Sequence, residues 1–133
     1  MVNGADRLPD TRVARNARIA RAWMLAEALS LGMASAVHAG RIVPGHAHLH
    51  ARVAESVIAT VLVLATVETW LRPGDARRAA IVGQGFALLG TLVGLGTIVA
   101  GIGPRTVADV VYHAVLLSLL ATGLTWAVRC RQV

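Results

Sequence analysis

Apolar residues along this chain fall into four long blocks separated by short breaks that carry glycine, proline or charge. Ala79 to Ile102 contains no charged residue. Val110 to Val128 contains none either, and its helix is expected to reach back to Thr106 and take in Asp109. Ala22 to Ala39 carries one carboxylate, Glu27, and Val53 to Leu71 carries Glu55 and Glu68. A helix crossing a hydrocarbon core about 30 Å thick needs about 20 mostly apolar residues, because it rises about 1.5 Å per residue. All four blocks reach that length. The breaks hold Gly40 to Gly45 with Pro44, then Pro73-Gly74-Asp75, then Gly101-Ile102-Gly103-Pro104, all turn-forming runs. The pattern predicts an all-α, polytopic four-helix transmembrane bundle with spans at 22–39, 53–71, 79–102 and 106–128. A basic segment, 1–21, precedes it and a short tail, 129–133, follows.

Composition narrows the class further. The 133 residues are 56% hydrophobic and 15% charged, against roughly 45–50% and roughly 25% in soluble domains. Mean hydropathy is +0.63. So short a chain cannot hide that much apolar surface from water, so the lipid bilayer is its expected partner. Nucleic acid is excluded as a partner despite the +6 formal charge, because the few aromatic residues do not interleave with the arginines. The single Cys130 rules out an intramolecular disulfide framework and multi-cysteine zinc patterns.

Arginine placement sets the expected topology. With these spans, Arg7, Arg12, Arg15, Arg18, Arg21, Arg72, Arg77, Arg78, Arg129 and Arg131 lie on one side, and Arg41, Arg52 and Arg105 on the other. Cytoplasmic loops carry the basic excess, which predicts an inner-membrane protein with both termini in the cytoplasm. Pro9-Asp10-Thr11 followed by Arg12, Arg15 and Arg18 reads either as a capped helix lying on the cytoplasmic face before the first span or as a basic tail. Residues 1–36 also carry signal-peptide features, with Ala34-Ser35-Ala36 as a cleavage triplet. Glu27 within the apolar run, and the continuation of that run past the triplet, favour a span.

Ionisable groups inside spans are costly, about 2.5–3.5 kcal/mol each at the centre on insertion scales, and mark candidate sites. The topology sorts them into two layers. On the outer side lie His38, His46, His48, His50, Glu55, Asp109, Tyr112 and His113. Asp109 and His113 share a helix face at spacing four, and His48 and Glu55 share one if the second helix begins by Leu49. Imidazoles from two or three helices with one or two carboxylates form the donor set of a zinc, copper, nickel or iron site, here His38, His48, His50, Glu55, Asp109 and His113. His38 and His113 could alternatively be axial ligands of a haem b. A third reading is structural, with Asp109 and His113 as a polar staple and Arg52 and Glu55 as an ion pair. On the inner side, Glu27, Ser30 and Gln84 form a candidate proton or polar relay, Glu27 sharing a face of the first span with Ser30 and His38.

Glycines crowd the third span, with Gly90 and Gly94 in the spacing that lets helix backbones approach closely. They predict packing within the bundle, a homodimer, or docking onto a larger membrane complex. No nucleophile triad, phosphate loop or paired catalytic carboxylate motif occurs, so no enzymatic activity is expected.

The run Gly85 to Leu95, then Gly101 to Asp109 and Val111-Tyr112-His113, resembles a group of small, uncharacterised four-span bacterial membrane proteins. The resemblance covers mainly residues 85–113. It implies a similar topology and carries no activity, cofactor or site residue. Taken together, the residues point to a small integral membrane protein with an outward-facing His/carboxylate cluster that binds a transition metal or haem b. The rival reading is a ligand-free accessory subunit docking through its third helix.

Overall fold

The computed structural model describes residues 11–103 and 105–130. Four helices account for most of them: α1 (Thr11–His38), α2 (Leu49–Leu71), α3 (Ala76–Val99) and α4 (Val107–Arg129). A 3-10 turn, Pro73–Asp75, leads into α3. Each helix packs on its sequence neighbours, and α1 also touches α3 and α4, so the chain runs up and down as a four-helix bundle. Three of the helices, α2, α3 with its leading turn, and α4, are long and apolar enough to cross a membrane.

Local chemistry explains the helix ends. Thr106 caps α4 by accepting from the Asp109 N–H at 3.1 Å, and the Asp109 carboxylate accepts in return from the Thr106 N–H at 3.1 Å. At the start of α2, His48 takes the cap position and its Nδ1 accepts from the Ala51 N–H. Gly101 has φ +81°, a left-handed turn that ends the third helical segment where glycine is cheapest. Arg105 then folds back, donating to the Ile98 and Val99 carbonyls at 3.0 and 2.9 Å. Arg77 does the same for the end of α4, reaching the Ala127 and Val128 carbonyls. A guanidinium at a helix C-terminus satisfies orphan carbonyls and opposes the dipole's negative end.

Packing is inverted relative to a soluble bundle. Much of the buried surface is small or polar: Ala20, Ala28, Ala80, Ala87 and Ala127, with Glu27, Thr66, Thr69, Gln84 and Thr91 among them. Large apolar side chains such as Leu29, Leu64, Leu89, Val93 and Val115 face outward. In lipid, outward leucine and valine cost nothing, and association comes from close backbone approach and internal hydrogen bonds. Gly83 and Gly90 show this directly. A β-carbon at Gly83 would lie 2.7 Å from the Ala65 Cβ, and one at Gly90 2.7 Å from the Ile58 Cδ1, so both glycines seat α3 against α2. Gly94 faces the His113 ring of α4. The glycine pair therefore serves packing inside the bundle, which leaves Gly85 and Gly96 as the third-helix glycines with open space beside them.

Arg12, Arg15 and Arg18 lie on α1 itself, which continues unbroken from Thr11 through the first apolar block, so they do not form a separate surface helix. The expected cap at Pro9-Asp10 lies outside the described residues.

Candidate functional site

The chain ends of α1 and the starts of α2 and α4 meet at one end of the bundle. His38 is the last residue of α1, and its carbonyl accepts from the His48 N–H at 2.9 Å, which draws the first loop over it. The His38 ring is buried and sits between two carboxylates. Its Nδ1 donates to Glu55 Oε2 at 2.8 Å and lies 3.0 Å from Oε1. Its Nε2 lies 3.5 Å from Asp109 Oδ1. One imidazole thus bridges α1 to α2 and to α4. Glu55 is only 5% exposed, so its carboxyl group is held inside the fold with His38 as its partner.

His113 sits one turn beyond Asp109 on the same face of α4, as spacing four requires. The contact between them differs from the expected staple. The His113 Nδ1 is 2.7 Å from the Asp109 backbone carbonyl, while the Asp109 side chain serves Thr106 and His38. A carbonyl can only accept, so Nδ1 carries a hydrogen, and in the neutral ring Nε2 holds a lone pair. That nitrogen faces Gly94. Glu55 is likewise not paired with Arg52. The Arg52 carbonyl instead accepts from Ser35, which also bonds Ser56 at 2.8 Å.

Beside this cluster, between α2, α3 and α4, lies a cavity of about 160 Å³. Leu31, Ile58, Val93, Ile98 and Leu116 give it apolar walls, and His48, His50, Glu55, Tyr112 and His113 also line it. Gly90, Gly94 and Gly103 line α3's side, where larger residues would fill the space. The Tyr112 oxygen lies 3.4 Å from the Ser30 hydroxyl, across from α1. The rings of His38, His48 and His50 follow one another edge-to-face, with centroids 6.5 and 6.2 Å apart.

Of the six expected metal donors, His38, Glu55 and Asp109 are drawn into direct contact, and His48, His50, Glu55 and His113 line one cavity. Among the described residues, however, no three His, Cys, Asp or Glu side chains are set as a ligand group. The physical reason is hydrogen bonding: Glu55 is turned to His38 Nδ1, the Asp109 carboxylate accepts from Thr106, and His48 Nδ1 caps α2. Haem fares worse, because both His38 nitrogens face carboxylates. A cavity of this size matches one benzene-sized ring, far short of a macrocycle. His46 is exposed and lines no part of the cavity.

The other layer forms too. Glu27 and Gln84 meet in the bundle interior, with Gln84 Nε2 3.1 Å from Glu27 Oε1. Ser30 turns to Tyr112 instead, so the three are not one hydrogen-bonded chain. Gly123 was missed by sequence reasoning and lies against both Glu27 and Gln84, and the cavity itself was missed as well. The spacing of Thr106 and Asp109 is that of a helix cap, a signal by which the second role of the Asp109 side chain could have been found. Searches against protein-family models, curated proteins and solved structures give no match, so the chemistry of these residues alone carries the functional reading.

Proposed function

We propose that the chain is a four-span inner-membrane protein with cytoplasmic termini, and that its outer-half cavity binds a small, lipid-soluble ring bearing a hydroxyl group. A fourth span is supported by the surface of α1. Between Ala22 and His38 its exposed positions are Ala22, Leu25, Ala26, Leu29, Gly32 and Met33, while Thr11, Arg12, Arg15 and Arg18 are exposed before it. Within this stretch three of the polar residues, Glu27, Ser35 and His38, are turned inward. Orientation follows from the arginines. Contacts of Arg21 with Thr69, and of Arg77 with Ala127, place the arginine-rich ends of all four helices together, and that end is cytoplasmic by the charge rule.

The observation that carries the ligand reading is an apolar cavity lined by a few polar side chains, His48, His50 and Glu55 from the start of α2 and Tyr112 and His113 from α4. Such a pocket with a few convergent polar groups is the default form of a small-molecule site. His113 Nε2 offers a lone pair to a ligand hydroxyl, and the Tyr112 phenol can donate to the same oxygen. The apolar walls take the ring. Phenol is the simplest probe, and benzene the control without a hydroxyl. Phenol added to the protein in mild detergent should raise its melting temperature in a concentration-dependent way. Benzene should do so less, and the difference should vanish in His113→Leu. Equal stabilisation by both, or by neither, overturns the reading.

A second reading keeps a transition metal. His38 Nε2 and Asp109 Oδ1 are 3.5 Å apart, close to the spacing of two ligands on one ion with bonds of about 2.0–2.1 Å. Glu55 and the Asp109 carbonyl hold the far nitrogens of His38 and His113, as partners of ligating histidines commonly do. One equivalent of zinc or copper retained through purification and lost in Asp109→Ala would establish it in place of the phenol site.

A further inference from the structure

Glu27, Gln84 and Gly123 meet from α1, α3 and α4 in the half of the bundle that carries most of the arginines. Glu27 is 0% and Gln84 1% exposed. The Gln84 Nε2 lies 3.1 and 3.3 Å from the two carboxyl oxygens of Glu27, and its Oε1 has no hydrogen-bond partner among the described residues. Gly123 closes the site. A β-carbon there would lie 2.4 Å from Gln84 Nε2 and 2.8 Å from Glu27 Oε1, so α4 can cover the pair only as glycine. The ion pairs found among the described residues are His38 with Glu55 and with Asp109, and Arg72 with Glu68. None involves Glu27.

Two features of this arrangement do not suit a carboxylate. An ionised carboxyl this deeply buried without a counter-charge is strongly disfavoured. A single amide nitrogen spread over both oxygens also strands the Gln84 carbonyl, and an orphan buried acceptor costs free energy. Both difficulties are removed by one proton. We infer that Glu27 and Gln84 form a proton-binding site: the carboxyl takes up a proton, and its O–H donates to Gln84 Oε1 while the amide N–H donates to the other carboxyl oxygen. The amide needs only to rotate about its last bond so that oxygen and nitrogen each meet one carboxyl oxygen. Which amide atom is nitrogen follows from the hydrogen-bond network, and this network is satisfied fully only with the acid form. Every polar atom of the pair then has a partner. The site lies one turn inward of Ser30, whose hydroxyl contacts Tyr112 at the edge of the outer cavity.

The test is infrared spectroscopy of the full chain in lipid vesicles at neutral pH, where a protonated carboxyl shows a carbonyl band distinct from carboxylate. Glu27→Gln should remove one such band. Gln84→Leu should keep that band but shift it upward, because the carboxyl loses its amide partner. An acid band unchanged by Glu27→Gln overturns the proton site, and a band unshifted by Gln84→Leu overturns the pairing. Should Glu27→Gln fail to insert, Glu27→Asp serves in its place: the proton site requires the band to move, and an unmoved band refutes it.

Discussion

The Nδ1 of His38 stands 2.8 Å from Glu55 Oε2 inside the bundle, and this contact joins the last residue of α1 to the second turn of α2 across a loop of ten residues. Breaking one side of a buried pair leaves the other uncompensated, at a cost of about 3–5 kcal/mol. Glu55→Ala should therefore lower the melting temperature in detergent strongly, and so should His38→Ala. In the double variant neither group is stranded. Its loss should fall well short of the summed single losses, and a simple sum would show that the contact contributes nothing.

The third-helix glycines divide by what faces them. Gly83→Ala sets a methyl 2.7 Å from the Ala65 Cβ, which cannot yield without moving α2, and overpacking of this kind costs about 1–3 kcal/mol. Gly90→Ala meets the Ile58 side chain at 2.7 and 3.0 Å, and Ile58→Val, by removing Cδ1, should recover part of the loss. Gly85→Ala and Gly96→Ala meet nothing within 4 Å and should be neutral or slightly stabilising, since alanine suits a helix better by about 1 kcal/mol. Thermal melts of the four variants check the ordering. Equal effects at Gly83 and Gly85 would contradict the packing described.

The four blocks of apolar residues were legible because a 3.6-residue helix in lipid needs little beyond length and apolarity; α2, α3 and α4 fall within a few residues of the expected segments, whereas α1 begins eleven residues before its apolar block, at Thr11. The buried carboxylates were legible for the same reason: Glu27 is the one charged residue of its apolar run, and Glu55 shares its run only with Glu68 at the far end. Their partners were not. Spacing placed Asp109 beside His113, yet Thr106 caps α4, and the capping geometry turns the Asp109 carboxylate to Thr106 and toward His38. Glu68 shows the converse. It lies close to the end of its expected span, where a long side chain can reach out of the apolar layer, and it is exposed near the end of α2, paired with Arg72 at 3.4 Å. The cavity depends on which glycines face inward, and that follows from helix rotation rather than from any local pattern.

Cys130 follows α4 directly and is the protein's single thiol, so it reports the side on which the chain emerges. With cytoplasmic termini, a membrane-impermeant maleimide should leave Cys130 unlabelled in intact cells and label it in inverted vesicles. His46 is exposed in the first loop at the opposite end. A Cys130→Ser, His46→Cys variant should give the reverse pattern. Labelling of both positions from the same side would mean that α2, α3 and α4 do not all cross; a Cys130→Ser, Thr11→Cys variant labelled from the side opposite to Cys130 would remove α1 from the membrane.

Asp109 has two partners on different elements, and substitutions can separate them. Thr106→Ala removes the side-chain cap of α4 and leaves the Asp109–His38 contact in place, so it should cost about 1 kcal/mol, the usual worth of a helix cap. Asp109→Asn keeps an oxygen that can accept from the Thr106 N–H but removes the charge facing His38. Asp109→Ala removes both. If the His38 contact matters to stability, Asp109→Ala should exceed Thr106→Ala in the wild-type background and come closer to it when His38 is already alanine. Chemical unfolding in mixed micelles measures each step. The same gap in both backgrounds would mean that Asp109 acts on α4 alone, and that the 3.5 Å approach to His38 is proximity without coupling.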